Sequence, residues 1–273
     1  MNIGIGNFSS SIINLLSDEK LKFNQEYFND LKHDQSFSSI KEYEDFFIFE
    51  DFGFEIENKI VSIFIDAESV ISGISLKLLE GLKNANNKIL VYLFFKDKKV
   101  LTKTLKENQN LNFNVYTDIA RCGEIDRLFL IDLSLVISKF SISLKNFENN
   151  LVTTTANLIS NILYILNINP IYGSNFTTND IKRISTFGII LMNNLDSNSK
   201  EEFYFYDFKN DILCQNHYSF FLNEEELNNG NYTISRINTL LDNKENNSYS
   251  IYESINNTSV YYAIKSTSYV ERE

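Results

Sequence analysis

Apolar and polar positions along the chain predict an alternation of strands and helices. Asn2 to Ile5 starts as a short strand, the small-residue turn Gly6-Asn7-Phe8-Ser9-Ser10-Ser11 follows, and Ile12, Ile13, Leu15 and Leu16 then fall at helical spacing. Ile60-Val61-Ser62-Ile63-Phe64-Ile65 is a continuous run of the kind buried on both faces of a parallel sheet. A polar loop from Asp66 to Ser75, a helix through Leu76 to Leu82 and a second apolar run from Lys88 to Phe95 complete a β-α-β unit. A further strand is predicted at Ile125 to Ile131. One long helix is predicted from Asn146 to Leu166, with Leu151, Leu158, Ile162 and Ile165 on its apolar side. Phe187 to Met192 reads as a strand, and Thr233 to Ile264 as a helix and two strands joined by a hairpin turn at Asn256-Asn257, because Asn tolerates positive φ. Between Ser17 and Asn58, acidic and aromatic residues mix at no clear period, as in Glu42-Tyr43-Glu44-Asp45-Phe46-Phe47, and only strands and connections are assigned.

Composition narrows the class without changing these elements. A chain of 273 residues with 43% hydrophobic and 14% aromatic content supports a substantial core in one large or two modest domains. The net charge of −11 reads as an acidic, solubility-promoting surface, and it argues against nucleic acid or an anionic membrane, which need clustered Lys and Arg. Cys122 and Cys214 are too few and too far apart for a disulfide framework or a metal site, so a reducing cytoplasm is expected. No apolar run is long enough to span a bilayer, and the opening MNIGIGNFSSSIINLL lacks the basic flank of a secretory signal. Heavy use of Asn, Ile, Lys, Phe and Tyr with one Pro and no Trp fits an AT-rich coding sequence, which lowers the weight of any single Asn.

Two stretches carry candidate chemistry. A strand, a small-residue turn and a helix at the start of the chain let backbone N–H groups approach an anion at the helix N-terminus, although a plain strand-to-helix turn has the same pattern. Asn167 to Leu195 (NINPIYGSNFTTNDIKRISTFGIILMNNL) reads as loop, helix and strand, with Asn179 and Asp180 placed to cap a helix beginning at Ile181.

These stretches, together with KILVYLFFKD and EIDRLFLID in the predicted strands, resemble the FtsZ and tubulin superfamily of GTP-dependent filament proteins. The loop Asn175-Phe176-Thr177-Thr178-Asn179-Asp180 is similar to the family's NVDFAD, which one subunit inserts into the nucleotide site of the next. GIGNFSSSIINLL lies on the family's glycine-rich opening without a gap, pairing Gly4, Gly6 and Asn14 and placing Ser where three glycines stand. The resemblance implies an α/β fold: a Rossmann-like parallel sheet in an N-terminal GTPase-type domain (residues 1–145), a long central helix (146–166) and a smaller α+β C-terminal domain (167–273). It implies GTP with Mg2+ as cofactor, with Gly4, Gly6, Asn7, Ser69, Ser72, Gly73 and Ser75 around the phosphates. Phe147 would stack the base, or serve as a core residue, while Asn149, Asn150 or Thr154 would read the base edge. It further implies a head-to-tail homopolymer in which Asn175 and Asp180 assist hydrolysis in the neighbouring subunit; Asp180 also has the simpler reading of a helix cap.

Departures from the family pattern concentrate in the chemistry. The signature GGGTGTG becomes Ser69-Val70-Ile71-Ser72-Gly73-Ile74-Ser75, keeping only Gly73, and its β-branched residues are poorly suited to positive φ. Each lost charge-assisted hydrogen bond to phosphate is worth roughly 1.5–3 kcal/mol. The first acid of the inter-subunit loop is replaced by Thr177, leaving Asp180. Two readings follow: a divergent filament protein with weak or altered GTP binding, a GTPase if active, or a structural assembly protein that keeps the fold without nucleotide. An unrelated Rossmann-like enzyme would need a catalytic constellation, and the two His and two Cys have no paired spacing.

Overall fold

The computed structural model describes residues 1–16, 19–30, 37–48, 56–174, 176, 184–191, 202–208, 214–241, 247–254, 259–268 and 270. The chain divides into two compact units, Met1–Ser160 and Asn161–Glu271.

The first unit is built on five parallel strands: β1 (Asn2–Ile5), β2 (Lys20–Phe23), β3 (Ile60–Asp66), β4 (Lys88–Phe95) and β5 (Arg127–Asp132). They lie in the order β2-β1-β3-β4-β5. Helices fill the connections: α1 (Asn7–Leu16), α2 (Gln25–Asp30), α3 (Ile40–Phe46), α4 (Ser75–Asn84) and α5 (Lys103–Cys122), with α6 (Leu133–Phe140) and α7 (Phe147–Asn167) after the last strand. The expected β-α-β unit is present as β3, α4 and β4, and the expected long helix is α7. The central strands are apolar throughout because both faces are covered; Val61, Ile63, Phe64, Ile65, Val91, Tyr92 and Leu93 are fully buried. Register sets Phe64 beside Tyr92 and Tyr92 beside Phe129, so their rings stack across three strands at 4.7 and 4.8 Å, close to the spacing of the strands themselves.

The strand order reverses between β1 and β3, since the chain leaves β1 toward β2 on one side and returns to β3 on the other. In an open parallel sheet that switch point, at the carboxyl ends of the strands, is where a crevice forms.

Residues 17–58, unreadable by period, hold β2, α2 and α3 among the described positions. Ser39 caps α3 by accepting the Glu42 N–H at 3.3 Å, and the Glu42 carboxylate accepts the Ser38 N–H at 2.6 Å, a short capping motif set among aromatic residues.

The second unit contains β6 (Tyr172–Gly173), β7 (Ile184–Leu191), β8 (Phe203–Tyr204), β9 (Gln215–Leu222), β10 (Asn247–Glu253) and β11 (Val260–Thr267), with α8 (Glu224–Asn228) and α9 (Gly230–Leu240) between β9 and β10. Strand β11 pairs antiparallel with β7 and β9, β10 runs parallel to β9, and β6 and β8 pair antiparallel with β10 and β7. Its core gathers Tyr218, Phe220, Leu222, Ile237, Ile251, Tyr261 and Ala263. The expected hairpin through Asn256-Asn257 is not formed: β9 lies between β10 and β11, so strands adjacent in sequence do not pair. The turn signal was local, whereas pairing follows the helical crossover that brings β10 parallel to β9. Among the described residues, no helix is long and apolar enough to cross a membrane.

The ring ladder separates packing from polar contribution. Tyr92 is fully buried and its hydroxyl has no hydrogen-bond partner among the described residues. Replacing Tyr92 by Phe is therefore expected to leave the denaturation midpoint unchanged or slightly raised, because a buried unsatisfied hydroxyl is removed without changing shape. Phe129→Ala, by contrast, is expected to cost about 3–5 kcal/mol through the cavity it leaves. Equal losses in the two variants, measured by denaturant titration, would contradict this account.

Candidate functional site

The site is at the β1/β3 switch point. Strand β1 ends at Ile5, Gly6 turns the chain at φ +108, and α1 begins at Asn7, so the first amides of α1 point toward the end of β3. There the Asp66 carboxylate meets them. Its Oδ2 accepts the Phe8 N–H at 2.9 Å, and its Oδ1 accepts the Ser9 N–H at 2.9 Å and the Ser9 hydroxyl at 2.5 Å. Ser9 is fully buried and Asp66 is 4% exposed. A carboxylate at a helix N-terminus is favoured by the orphan N–H groups and by the helix dipole. Gly6 is needed twice, for its positive φ and because a Cβ there would lie 2.5 Å from Asp66 Cγ. Gly4 serves packing instead, since a Cβ there would sit 3.0 Å from the Ser10 backbone and its absence lets α1 lie against β1.

The segment after β3, expected as a polar loop, is a 3-10 helix from Val70 to Ile74. Its hydroxyls are engaged internally. Ser69 Oγ accepts the Ile71 N–H at 3.3 Å, and Ser72 Oγ donates to the Ser69 carbonyl at 2.7 Å. Ser75 donates to the Ser72 carbonyl and accepts from the Tyr116 hydroxyl. Gly73 is overlain by α3; a Cβ there would overlap the Ile40 carbonyl and approach Ile40 C at 2.8 Å. Ser72, Gly73 and Ser75 are buried and Ser69 is partly so.

Helix α5 holds this segment in place with polar side chains. Asn112 Nδ2 donates to the Ala67 carbonyl at 2.7 Å and to Ser72 Oγ at 2.8 Å, and Asn108 Nδ2 donates to the Glu68 carbonyl at 3.2 Å. Gln109 accepts from the Lys96 N–H at 3.0 Å and donates to its carbonyl at 3.1 Å. Lys96 Nζ is 2.7 Å from Glu68 Oε1, whose side chain is 8% exposed. Burial pulls the Lys96 pKa down, but the charges of Glu68, Asp66 and Glu148 outweigh it and leave it raised. For Asp66, burial and then the Glu68 charge push the carboxyl from 3.8 up to about 7, while the Ser9 and Phe8 hydrogen bonds pull the other way.

The structure brings Gly4, Gly6 and Asn7 together with Asp66, and places Ser69, Ser72, Gly73 and Ser75 in the adjoining buried segment. Asn7 is exposed, and its Oδ1 accepts the Gln25 N–H at 3.2 Å. Phe147 opens α7 half-buried, Asn149 is exposed and Asn150 donates to the Lys145 carbonyl at 3.0 Å. Asn175 and Asp180 lie outside the described residues. Sequence patterning did not single out Asp66, Glu68, Lys96, Asn112 or Tyr116. Two signals point to them: an acid closing a buried apolar strand, and Gln109, Asn112 and Tyr116 spaced i, i+3, i+7 as a polar helical stripe. Among the described residues, no group of three or more His, Cys, Asp or Glu is placed to hold a metal.

A scan against family models found no match, and neither did a search of curated proteins. Solved structures do match. The FtsZ dimer of M. jannaschii, described as empty, superposes with TM-score 0.67 at 12% identity over 97% of this chain and 87% of that one. GDP-form protofilaments of Bacillus thuringiensis serovar israelensis TubZ give 0.68 at 14% identity, covering 97% and 84%. The GDP-bound CetZ1 monomer of Haloferax volcanii gives 0.67 at 10% identity, covering 100% and 94%. The chain therefore has the FtsZ/tubulin-like fold, as the resemblance implied.

The raised pKa of Asp66 and the covered Gly73 each set a measurable expectation. With the folded-state pKa of Asp66 raised from 3.8 to about 7, the folded protein retains a proton that the unfolded chain releases in that window. The contribution is complete below about pH 4 and is lost as pH rises through about 7. Asp66→Asn does not titrate, so the wild-type melting temperature should fall relative to that variant across this window; parallel curves would refute the assignment. Gly73→Ala should cost about 1–3 kcal/mol in denaturant titration, because backbone of α3 must move.

Proposed function

We propose that this protein is a self-assembling filament protein of the FtsZ/tubulin-like fold whose association does not run on nucleotide turnover. Of the two readings the sequence left open, this is the assembly reading. One observation carries it: at the N-terminus of α1, where the resemblance would place phosphates, the Phe8 and Ser9 N–H groups and the Ser9 hydroxyl are taken by the Asp66 carboxylate. Assembly itself is inferred from fold and from the protofilament descriptions of TubZ and CetZ2 structures.

A triphosphate does not fit these residues. To reach Phe8 N and Ser9 N it must displace Asp66, gaining charge-assisted hydrogen bonds of roughly 1.5–3 kcal/mol each only where the carboxylate loses the same bonds. The displaced acid stays beside Glu68, and two acids next to a polyanion add repulsion in a poorly solvated place. Lys96, the nearby cation, is engaged by Glu68. In the 3-10 helix the hydroxyls of Ser72 and Ser75 already serve neighbouring carbonyls. GTP and Mg2+ are accordingly outside this proposal, and no hydrolytic role is assigned to Asn175, Asp180 or Phe147. Cys122 and Cys214 are not in a disulfide, in keeping with a reducing cytoplasm.

The test is equilibrium binding of labelled GTP in the presence of Mg2+, paired with sedimentation of the protein with and without nucleotide. No saturable binding at high micromolar GTP, with equal pelleting in both conditions, is the expected result. Saturable binding with pelleting that follows GTP would establish the other reading, a working filament GTPase.

A further inference from the structure

We propose that Asn229-Gly230, the junction between α8 and α9, is a self-modification site, at which the Asn229 side chain converts to aspartate and isoaspartate without an enzyme. The proposal is independent of the self-assembly reading above. The chain uses Asn heavily, yet it holds a single Asn-Gly dipeptide. The reaction passes through ring closure between the Asn side chain and the next backbone nitrogen. It needs an Asn side chain that nothing holds, a following nitrogen without hydrogen bond or steric cover, and a main chain able to rotate. This junction supplies all three.

Asn229 is exposed, with φ −107 and ψ 51, and although it stands at the N-cap position of α9 its side chain makes no capping hydrogen bond. An N-cap Asn ordinarily accepts an N–H of the first helical turn, and such a bond would hold the side-chain amide away from its own main chain. Asn residues elsewhere are held. Asn7 Oδ1 accepts the Gln25 N–H at 3.2 Å, and Asn58 Oδ1 accepts from Asn86 Nδ2 at 2.8 Å. Asn87 accepts the Lys59 N–H at 2.9 Å and donates to the Ile56 and Leu82 carbonyls at 2.7 and 2.8 Å. Asn7, Asn58 and Asn87 are followed by Phe8, Lys59 and Lys88, whose side chains cover the nitrogen that would attack.

Gly230 is the first residue of α9, where a backbone N–H has no intrahelical acceptor. It is exposed, and a Cβ built there would meet nothing within 4 Å. Neither crowding nor positive φ requires glycine at this place, in contrast to Gly6. What the missing side chain gives is an uncovered nitrogen on the most freely rotating backbone available. The Asn229 main chain is tied at two points, its N–H donating to the Glu226 carbonyl at 3.3 Å and its carbonyl accepting the Thr233 N–H at 3.0 Å. Turning the Gly230 nitrogen toward Asn229 Cγ opens the second of these, at a helix end where fraying is ordinary.

In the reaction the Gly230 nitrogen gives its proton to water and bonds to Asn229 Cγ, and the side-chain nitrogen leaves as ammonia, taking a proton back from solvent. The cyclic imide that remains then adds water across one of its two C–N bonds. Opening at Cγ leaves aspartate in an unchanged main chain; opening at the main-chain carbonyl carbon routes the chain through Cγ and lengthens it by a methylene. Either product adds one negative charge to the −11 of the chain. Aspartate suits the place, because the N-terminus of α9 favours an acid and a capping oxygen. Isoaspartate does not, since the longer main chain cannot keep both the bond to Glu226 and the bond to Thr233 in their present geometry.

The experiment ages the folded full chain in mildly alkaline buffer made with heavy-oxygen water, then digests it and follows the peptide carrying Asn229 by mass spectrometry. The heavy oxygen separates conversion in the folded chain from any that arises during digestion. The expected result is a time-dependent loss of the Asn229 peptide to two products of equal mass, aspartate and isoaspartate, ahead of every other Asn. Gly230→Ala, in which the added Cβ has open space, should fold as wild type by circular dichroism and convert several-fold more slowly. Asn229→Gln, whose longer side chain closes the ring poorly, should not convert in the same time. Asn229→Asp should melt at or above the fresh wild-type temperature, and the aged, isoaspartate-bearing fraction below it. An Asn229 that stays intact in the folded chain while the excised peptide converts would overturn the proposal. So would equal rates in wild type and Gly230→Ala, or another Asn that converts first.

Discussion

The geometry of the first unit depends on one buried carboxylate. Pairing of β1 with β3 sets Ile5 beside Ile65, so the next residue of β3, Asp66, comes level with the turn at Gly6. From there its two oxygens face the opening of α1 and satisfy two backbone donors and a hydroxyl in a place with little water. Remove that acceptor and α1 starts with orphaned donors; remove the donors and an acid is buried without partners. Either imbalance costs more than the net worth of the bonds themselves. The position is thus defined from both sides, and the missing side chain at Gly6 is what lets them meet.

An acceptor delivered by the neighbouring strand has an advantage over any diffusing anion. It loses no translational freedom on binding, and the sheet that positions it is already formed. A phosphate group would compete for the same donors while bearing the same sign of charge as Asp66 and Glu68. This differs from simple erosion of a binding loop, which would leave donors facing water. Here the donors have been given a partner, and the change is coupled to the rest of the unit through Ala67 and Glu68, whose carbonyls are held by Asn112 and Asn108.

Much of this architecture could be read from the sequence where burial imposed a period. Strands β3 and β4 were visible as unbroken apolar runs, because a parallel strand covered on both faces has no polar side to show. Helix α7 was visible from its recurring Leu and Ile. Helix α5 was not, although it spans 20 residues, because its buried face carries Gln109, Asn112, Tyr116 and Thr117. A search for apolar spacing passes over a helix whose buried side chains are hydrogen-bonding ones. The same blindness hid Asp66: at the end of an apolar run it looked like the first residue of a polar loop, and only the register with β1 shows what it faces. The hairpin expected through Asn256-Asn257, residues outside the described ones, failed in the opposite direction, since the flanking strands β10 and β11 each pair with β9 rather than with one another. Gly4 and Gly6 stand out in the sequence as special positions, but spacing alone could not distinguish Gly4, which admits a helix, from Gly6, which admits a carboxylate.

The residues that stand in the place of the family signature are packed into the unit. Ile71 is 3% exposed and Ile74 fully buried, and with Gly73 pressed against the Ile40 carbonyl they form the floor on which α3 rests. Placing the signature's glycine at Ile71 would not free those donors. It would delete a buried side chain, at about 2–5 kcal/mol for a comparable truncation, while Asp66 still held the α1 donors. Loop, helix α3, the polar face of α5 and the carboxylate form one interlocked arrangement, in which each part occupies space or hydrogen-bonding capacity that a phosphate would need. A substitution at any one of these places therefore disturbs the others, which is why single changes in this arrangement are expected to be destabilising.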